Sequence, residues 1–233
     1  MSRRSLDLSE PSGRPPSALP SLGSGTTTIG LRTARGVILA TDRRATMGHF
    51  IASKTLVKLV RVDRHLGATF AGTVGDAQLV IRQLQSEAAL FRARVGTPIR
   101  VEAAATFVSN QLNATRWNPY FGWFLLGGVD PSGPRLFSLE FTGGCVEETF
   151  VSVGSGSPFV YGVLEEGWRS EIGLSDAVDL ALRGIAVAAR RDSASGEGAR
   201  VATITERGFE ELETEDVRRR VARLKLGESL PTR

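Results

Sequence analysis

Residues 23–31 read Gly-Ser-Gly-Thr-Thr-Thr-Ile-Gly-Leu (GSGTTTIGL), a flexible Gly-Ser-Gly followed by a β-branched run. The run continues as TTTIGLRTARGVILATDRR, in which two stretches of β-branched and apolar residues flank Ala34-Arg35-Gly36. Such side chains suit a pleated, half-buried surface, and a short Gly-containing break between two such runs reads as a hairpin turn. Residues 26–42 therefore predict the first β-hairpin of a sheet. The same stretch poses a chemical question, whether Thr26 is only a strand start or becomes a chain terminus. A threonine hydroxyl is too weak an acid to be nucleophilic alone. If the chain is cut before it, the new α-amino group, with an ordinary pKa of about 7.7–8.0, is placed to act as its base. A Thr-Thr-Thr tripeptide standing alone is better explained as a strand start.

The leader before Thr26, MSRRSLDLSEPSGRPPSALPSLGSG, lacks the apolar core of a secretory signal, and its Pro and Ser content predicts disorder. A chain of 233 residues fits one sizeable domain. Its 41% hydrophobic and 23% charged residues are those of a soluble globular protein. No apolar run approaches the roughly 20 residues that span a bilayer, which argues against a membrane protein. The single cysteine, Cys145, precludes an internal disulfide and argues against a structural zinc site, so a reducing cytoplasm is the natural compartment. Cys145 itself is expected as a small core residue. The formal charge of +4 comes mainly from scattered arginines. Their one dense run, Arg218-Arg219-Arg220 with Arg223 and Lys225, follows Glu210, Glu211, Glu213, Glu215 and Asp216 and has no interleaved aromatic. A solvated helix face explains it better than a nucleic-acid patch.

Downstream, Lys58–Val62 and Leu66–Gly72 predict two short strands around the polar turn Asp63-Arg64-His65. The period then changes: Ala77, Val80, Ile81, Leu84, Ala88, Phe91 and Val95 recur at helical spacing, and a second helix carries Val101, Ala104, Ala105, Val108 and Leu112 on one face. Strands return in FGWFLLGGV, RLFSLEF and CVEETFVSVG, the first apolar enough to be buried on both faces. A short helix is expected from Pro158 to about Trp168, and a longer one from an N-cap near Ser175-Asp176, whose VDLALRGIAVAAR is apolar nearly all round and so should be sandwiched. The strand RVATIT, a turn at Arg207-Gly208 and a helix from about Thr214 complete the order. Strands, helix pair, strands, helix pair, strand and helix fit an α+β class of two stacked antiparallel sheets with helices outside.

Only His49 and His65 are available for histidine chemistry, which leaves little material for a Ser-His-Asp triad or a zinc hydrolase. The GSGS segment at 154–157 precedes a helix but lacks the lysine of a phosphate-binding loop.

From Gly25 to Leu226 the chain resembles the β-type subunits of the archaeal 20S proteasome core particle. GTTTIG, ATDRRATMGHFI, KLVRVD, FAGTVGDAQ, LLGGVD, GSGSPFVYGVLE and RDSASG follow that family in order. The resemblance implies the N-terminal nucleophile hydrolase fold, a four-layer αββα sandwich. It also implies a propeptide at 1–25, self-cleaved between Gly25 and Thr26, and a mature domain at 26–233 whose tail is flexible from about 227. It assigns Thr26 as nucleophile, Asp42 as the acid that fixes Lys58, and Lys58 as the charge that lowers the pKa of the Thr26 hydroxyl and amine. Gly72 would present the oxyanion N–H, and Ser155, Asp192 and Ser195 would form the hydrogen-bonded surroundings of Thr26. Read without the family, Asp42 and Lys58 are an ordinary surface pair, and Ser155, Asp192 and Ser195 are turn and cap residues.

Ala45, Val60, Phe70 and Val74 would line an apolar substrate pocket, favouring hydrophobic residues before the cut, with Phe70 making it shallow. The implied partners are six further copies in a homo-heptameric β ring, a second β ring, α-subunit rings, an ATP-driven unfoldase and unfolded polypeptide substrates, in the cytoplasm. No metal, organic cofactor or nucleic acid is implied. Two alternatives are a peptidase of the bacterial HslV type, which GSGSPFVYG and RDSASG match less well, and a non-catalytic β paralogue, which would be expected to lose Thr26, Lys58 or Gly72.

Overall fold

The computed structural model describes residues 25–227 together with Leu230. The leader expected before Gly25, and all of the expected tail beyond 227 except Leu230, lie outside the described residues. In chain order the elements are β1 (Thr28–Thr33), β2 (Gly36–Asp42), β3 (Ala45–Met47), β4 (Phe50–Ser53), β5 (Leu59–Asp63), β6 (Leu66–Gly72), α1 (Val74–Val95), α2 (Val101–Ala114), β7 (Gly122–Asp130) and β8 (Gly133–Leu139). They continue as β9 (Cys145–Glu147), β10 (Phe150–Val153), α3 (Ser157–Gly167), α4 (Leu174–Arg191), β11 (Ala199–Thr205), β12 (Gly208–Glu211) and α5 (Thr214–Arg223).

Two five-stranded antiparallel sheets stack face to face, one ordered β10-β1-β2-β11-β12 and the other β5-β6-β7-β8-β9. The period-2 alternation within each strand sorts side chains between layers. In β2, Val37 and Leu39 join Leu125, Leu136 and Ile204 in the core between the sheets, whereas Ile38 and Ala40 face α3 and α4 with Val160, Ala181 and Ile185. In β6, Leu66, Ala68 and Phe70 point the other way, into the core beneath α1 and α2. Helices thus cover both outer faces, and the chain is the αββα sandwich of the N-terminal nucleophile hydrolases. In α4, every residue from Ala177 to Ala189 is at least partly buried except Arg183, because the helix lies between the β1–β2 face and α3.

Three expectations are corrected. CVEETFVSVG is not one strand: β9 pairs with β8 in one sheet and β10 with β1 in the other. The chain crosses between sheets at Glu148-Thr149, where the Glu148 N–H donates to the Leu136 carbonyl (2.9 Å) and the Thr149 carbonyl accepts from the Arg32 N–H (2.8 Å). Cys145 is exposed rather than in the core, because it opens β9, an edge strand with all its residues exposed. The helix expected to begin at Ser175-Asp176 starts at Leu174, with Gly173 in the N-cap position. A further hairpin that the residue pattern did not indicate, β3–β4, forms a two-stranded sheet of its own, with strands too short for alternation to register.

Candidate active site

β1 and β2 bring Thr26, Thr27 and Asp42 together at one end of the sandwich, since their pairing sets Thr28 against Thr41 and leaves the next residues at the strand ends. Lys58 enters from the residue before β5. Its side chain is fully buried, as is that of Asp42. The Lys58 Nζ donates to Asp42 Oδ1 (2.5 Å), to the Arg44 carbonyl (2.7 Å) and to Thr26 Oγ1 (3.1 Å), so an ammonium there has an acceptor for each of its hydrogens. Asp42 is equally saturated. Oδ1 also accepts the Thr27 N–H at 3.0 Å, and Oδ2 accepts those of Arg44 (3.1 Å) and Gly196 (3.0 Å).

Burial raises the Asp42 carboxyl from its ordinary value, opposed by the charge of Lys58 and by hydrogen bonds from Lys58, Thr27 and Gly196. Burial likewise lowers the Lys58 ammonium, opposed by Asp42 and more remotely by Asp192. Each partner's charge therefore offsets part of the penalty that burial places on the other's.

On the other side of Thr26 a run of hydroxyls converges on Asp192. The Ser155 and Ser195 hydroxyls both lie 2.6 Å from Asp192 Oδ2. A carboxylate only accepts, so both serines give it their single proton and are left as acceptors. Ser155 Oγ then accepts the Thr26 N–H (3.2 Å), and Ser195 Oγ accepts the Thr27 hydroxyl (2.7 Å). In the uncut chain Thr26 N is a peptide nitrogen, and it occupies the place of the α-amine that a cut before Thr26 would create. Thr26 and Lys58 are both fully buried, whereas Ser155, the partner of the Thr26 nitrogen, is exposed, so solvent lies one residue away on the nitrogen side.

Gly72 ends β6 at φ +125°, where a Cβ would lie 2.4 Å from the Phe121 carbonyl oxygen, so no other residue fits its backbone. Its neighbour Ala71 packs within 3.3 Å of the position a Cβ on Gly154 would take, and that position is 2.1 Å from the Thr26 carbonyl oxygen. Gly72 is therefore one residue from the wall of the site. Of the expected pocket residues, Val60, Phe70 and Val74 fall in one apolar cluster under α1, with Phe70 itself only 1% exposed. Ala45 is not a member of that cluster and begins β3, beside Arg44. Among the described residues no group of His, Cys, Asp and Glu is arranged to hold a metal ion.

The proteasome subunit family model matches residues 23–204. The chain is 46% identical over 201 residues to the proteasome subunit beta of Methanothermobacter thermautotrophicus, covering 86% of this chain and 96% of that one. It is 47% identical over 201 residues to that of Methanosarcina mazei (86% and 96%) and 49% identical over 194 residues to that of Archaeoglobus profundus (83% and 90%). The chain belongs to the proteasome β-subunit family.

In this family member several residues that sequence reasoning did not single out complete the site. Arg44 supplies a carbonyl to Lys58 and an N–H to Asp42, and its guanidinium donates to the Ser193 carbonyl (2.8 Å) and to Glu197 Oε1 (3.2 Å). Gly196 supplies the other N–H to Asp42. Thr46 Oγ1 accepts the Gly25 N–H at 2.9 Å. Apart from the Arg44 guanidinium, these roles use backbone atoms or a lone hydroxyl, which have no residue-type signature. The glycines of GSGS were visible as a turn, but their contact role was not: a Cβ on Gly156 would fall 1.9 Å from Thr27 Oγ1.

Proposed function

We propose that this chain is the catalytic β subunit of a proteasome core particle, a threonine endopeptidase for unfolded polypeptides that matures by cutting its own Gly25–Thr26 bond. The observation that carries the reading is the Lys58 ammonium 3.1 Å from Thr26 Oγ1, buried with Asp42 and with all its donors engaged. A cation so placed stabilises negative charge developing on Oγ1. Because its hydrogens are already directed at acceptors, it does not take the Thr26 proton, so the base lies elsewhere. The Thr26 α-amine, held by Ser155 and Asp192, is the group left for that task.

Maturation follows from the same atoms. Thr26 Oγ1 attacks the Gly25 carbonyl carbon and forms a C–O bond; the C–N bond breaks, and the hydroxyl proton ends on the Thr26 nitrogen. The product is an ester of Gly25 on Thr26. One water then hydrolyses it to a Gly25 carboxylate, a free Thr26 hydroxyl and the free amine. In turnover, Oγ1 attacks a substrate carbonyl while the amine takes its proton and later passes it to the leaving nitrogen. Gly72 N–H is assigned to the oxyanion of both reactions. The cluster of Val60, Phe70 and Val74, with Ala45, supports a preference for hydrophobic residues before the cut, and the burial of Phe70 supports a shallow pocket.

By likeness to its relatives the subunit assembles in stacked homo-heptameric β rings capped by α rings, fed by an ATP-driven unfoldase in the cytoplasm. No helix among the described residues is long and apolar enough to cross a membrane, which is compatible with that setting. The test is intact-mass measurement after co-expression with the α partner. The expected product is a chain beginning at Thr26, with the leader retained in Thr26→Ala. A leader retained on the wild-type chain would point instead to a non-catalytic paralogue, and release from Thr26→Ala without another active subunit would refute self-cleavage.

A further inference from the structure

Gly25 has a partner that the chemistry above does not use. Its N–H donates to Thr46 Oγ1 at 2.9 Å, in a buried setting, from a residue 21 positions away on β3. The orientation of Thr46 is not that of a regular strand. Ala45 pairs with Ser53 but Thr46 with Ile51, so Ala52 is left over as a bulge. Consecutive strand residues normally face opposite sides, yet Ala45 and Thr46 are both 6% exposed. The bulge lies in β4, opposite the Ala45–Thr46 step of β3, and bulges are enriched beside active sites. At this irregular step the Thr46 hydroxyl is directed at the residue that precedes the nucleophile.

The peptide between Gly25 and Thr26 is thereby held from both flanks. The Gly25 N–H is fixed by Thr46 and the Thr26 N–H by Ser155. Ala194 closes the third side, since a Cβ on Gly25 would lie 1.7 Å from the Ala194 Cβ. Two fixed N–H groups either side of a carbonyl set the plane of each adjoining peptide and hence the direction in which that carbonyl presents its face. With Thr26 alone fixed, rotation about the Gly25 dihedrals would stay open, glycine being the least restricted residue type.

Resting on the self-cleavage reading above, we infer that Thr46 is a positioning residue for maturation: its hydroxyl holds the Gly25 N–H so that the Gly25 carbonyl is presented to Thr26 Oγ1. It takes no part in bond making, and its contact disappears when Gly25 leaves. Its effect therefore falls more heavily on the single cut that frees Thr26 than on later turnover.

The experiment compares wild type, Thr46→Val and Thr46→Ser in particles assembled with the α partner, following leader loss by intact mass over time. Valine keeps the shape and removes the acceptor, leaving a buried N–H unpaired, a loss that typically slows a step about tenfold or more. Thr46→Val is expected to process at least about tenfold more slowly, and Thr46→Ser within about threefold of wild type. Mature chains beginning at Thr26, released from an N-terminal fusion by an added protease, then report peptide turnover. The loss there is expected to be several-fold smaller than the loss in processing. Processing of Thr46→Val at the wild-type rate, failure of serine to rescue, or an equal loss in turnover would each overturn the assignment. Thr26→Ala separates the two levels. If it sheds the leader, self-cleavage itself fails; if it keeps the leader while Thr46→Val processes normally, only the role of Thr46 fails.

Discussion

Replacing Asp42 by asparagine tests the physical core of the site. The carboxylate accepts four hydrogen bonds, from Lys58 and from the N–H groups of Thr27, Arg44 and Gly196. Asparagine keeps one acceptor oxygen and turns the other position into a donor, so two of those contacts become donor facing donor. Lys58, with no exposed side-chain surface, loses the charge it is paired with. Removing one member of a fully buried ion pair typically costs about 3–5 kcal/mol, because the remaining charge stays desolvated. In a chain of this size each kcal/mol moves the midpoint by about 2–4 °C, so the variant should melt roughly 6–20 °C lower. The pH dependence has a definite sign. Burial already lowers the Lys58 pKa and Asp42 is what raises it, so Asp42→Asn lowers it further. Between that value and the ordinary lysine value the unfolded chain binds more protons than the folded one, and stability rises with pH. The deficit of the variant should accordingly shrink from neutral toward alkaline pH as Lys58 sheds its proton. Lys58→Met added to Asp42→Asn should recover about half of the loss or more, since it removes the stranded charge. Thermal unfolding of chains that also carry Thr26→Ala, which keeps processing from altering the sample, measures all three quantities. A midpoint within about 2 °C of the parent, or a deficit that grows with pH, would refute the reasoning.

Other outcomes follow from single contacts. Gly25→Ala forces its new Cβ against Ala194, an overlap of the kind that costs about 1–3 kcal/mol; leader release should slow roughly tenfold in a mass time course, and an unchanged rate would contradict the close approach. Phe70→Leu should deepen the proposed substrate pocket and raise the kcat/KM ratio of aromatic over small aliphatic substrates several-fold, within the range of about 1–3 kcal/mol that pocket volume supplies; an unchanged ratio would rule Phe70 out of the proposed pocket. Cys145, exposed on β9, should react completely with a thiol reagent in the native chain while peptide turnover is retained; protection until unfolding would place it in an interface instead.

The elements that could be read from residues alone were those whose partner is signalled by periodicity. The β1–β2 hairpin, the α1 face of Ala77, Val80, Ile81, Leu84 and Ala88, and the doubly buried β7 each carry their own hydropathy pattern. The switch between β9 and β10 carries none. A strand that leaves one sheet for another keeps its alternation, and the residues that mark the crossing, Glu148 and Thr149, do so through backbone atoms. The site divides along the same line. Thr26, Asp42, Lys58, Gly72, Ser155, Asp192 and Ser195 were named through the family resemblance, and the fold brings all but Gly72 into one connected hydrogen-bond network. Composition would have left Asp42 and Lys58 on the surface, because nothing local shows that residues 16 apart meet in a closed interior.

The loop from Asp192 to Gly198 explains why these parts act together. Asp192 gathers the Ser155 hydroxyl, which accepts the Thr26 N–H, and the Ser195 hydroxyl, which accepts the Thr27 hydroxyl, while Gly196, four residues on, donates to the carboxylate that holds Lys58 on the hydroxyl side of Thr26. Glu197 follows at φ +64°, a left-handed conformation that costs a non-glycine residue roughly 1–2 kcal/mol. Such a residue persists where its surroundings over-determine it. Here Arg44 pairs with it at 3.2 Å, Lys54 at 3.7 Å, and the same Arg44 gives Lys58 its carbonyl and Asp42 its N–H. One strained loop and one arginine thus tie the charged pair to the hydroxyl chain. A shift of the loop by a few tenths of an ångström would lengthen hydrogen bonds on both sides of Thr26 at once, so the proposed base and the Lys58 ammonium share a common support rather than independent ones.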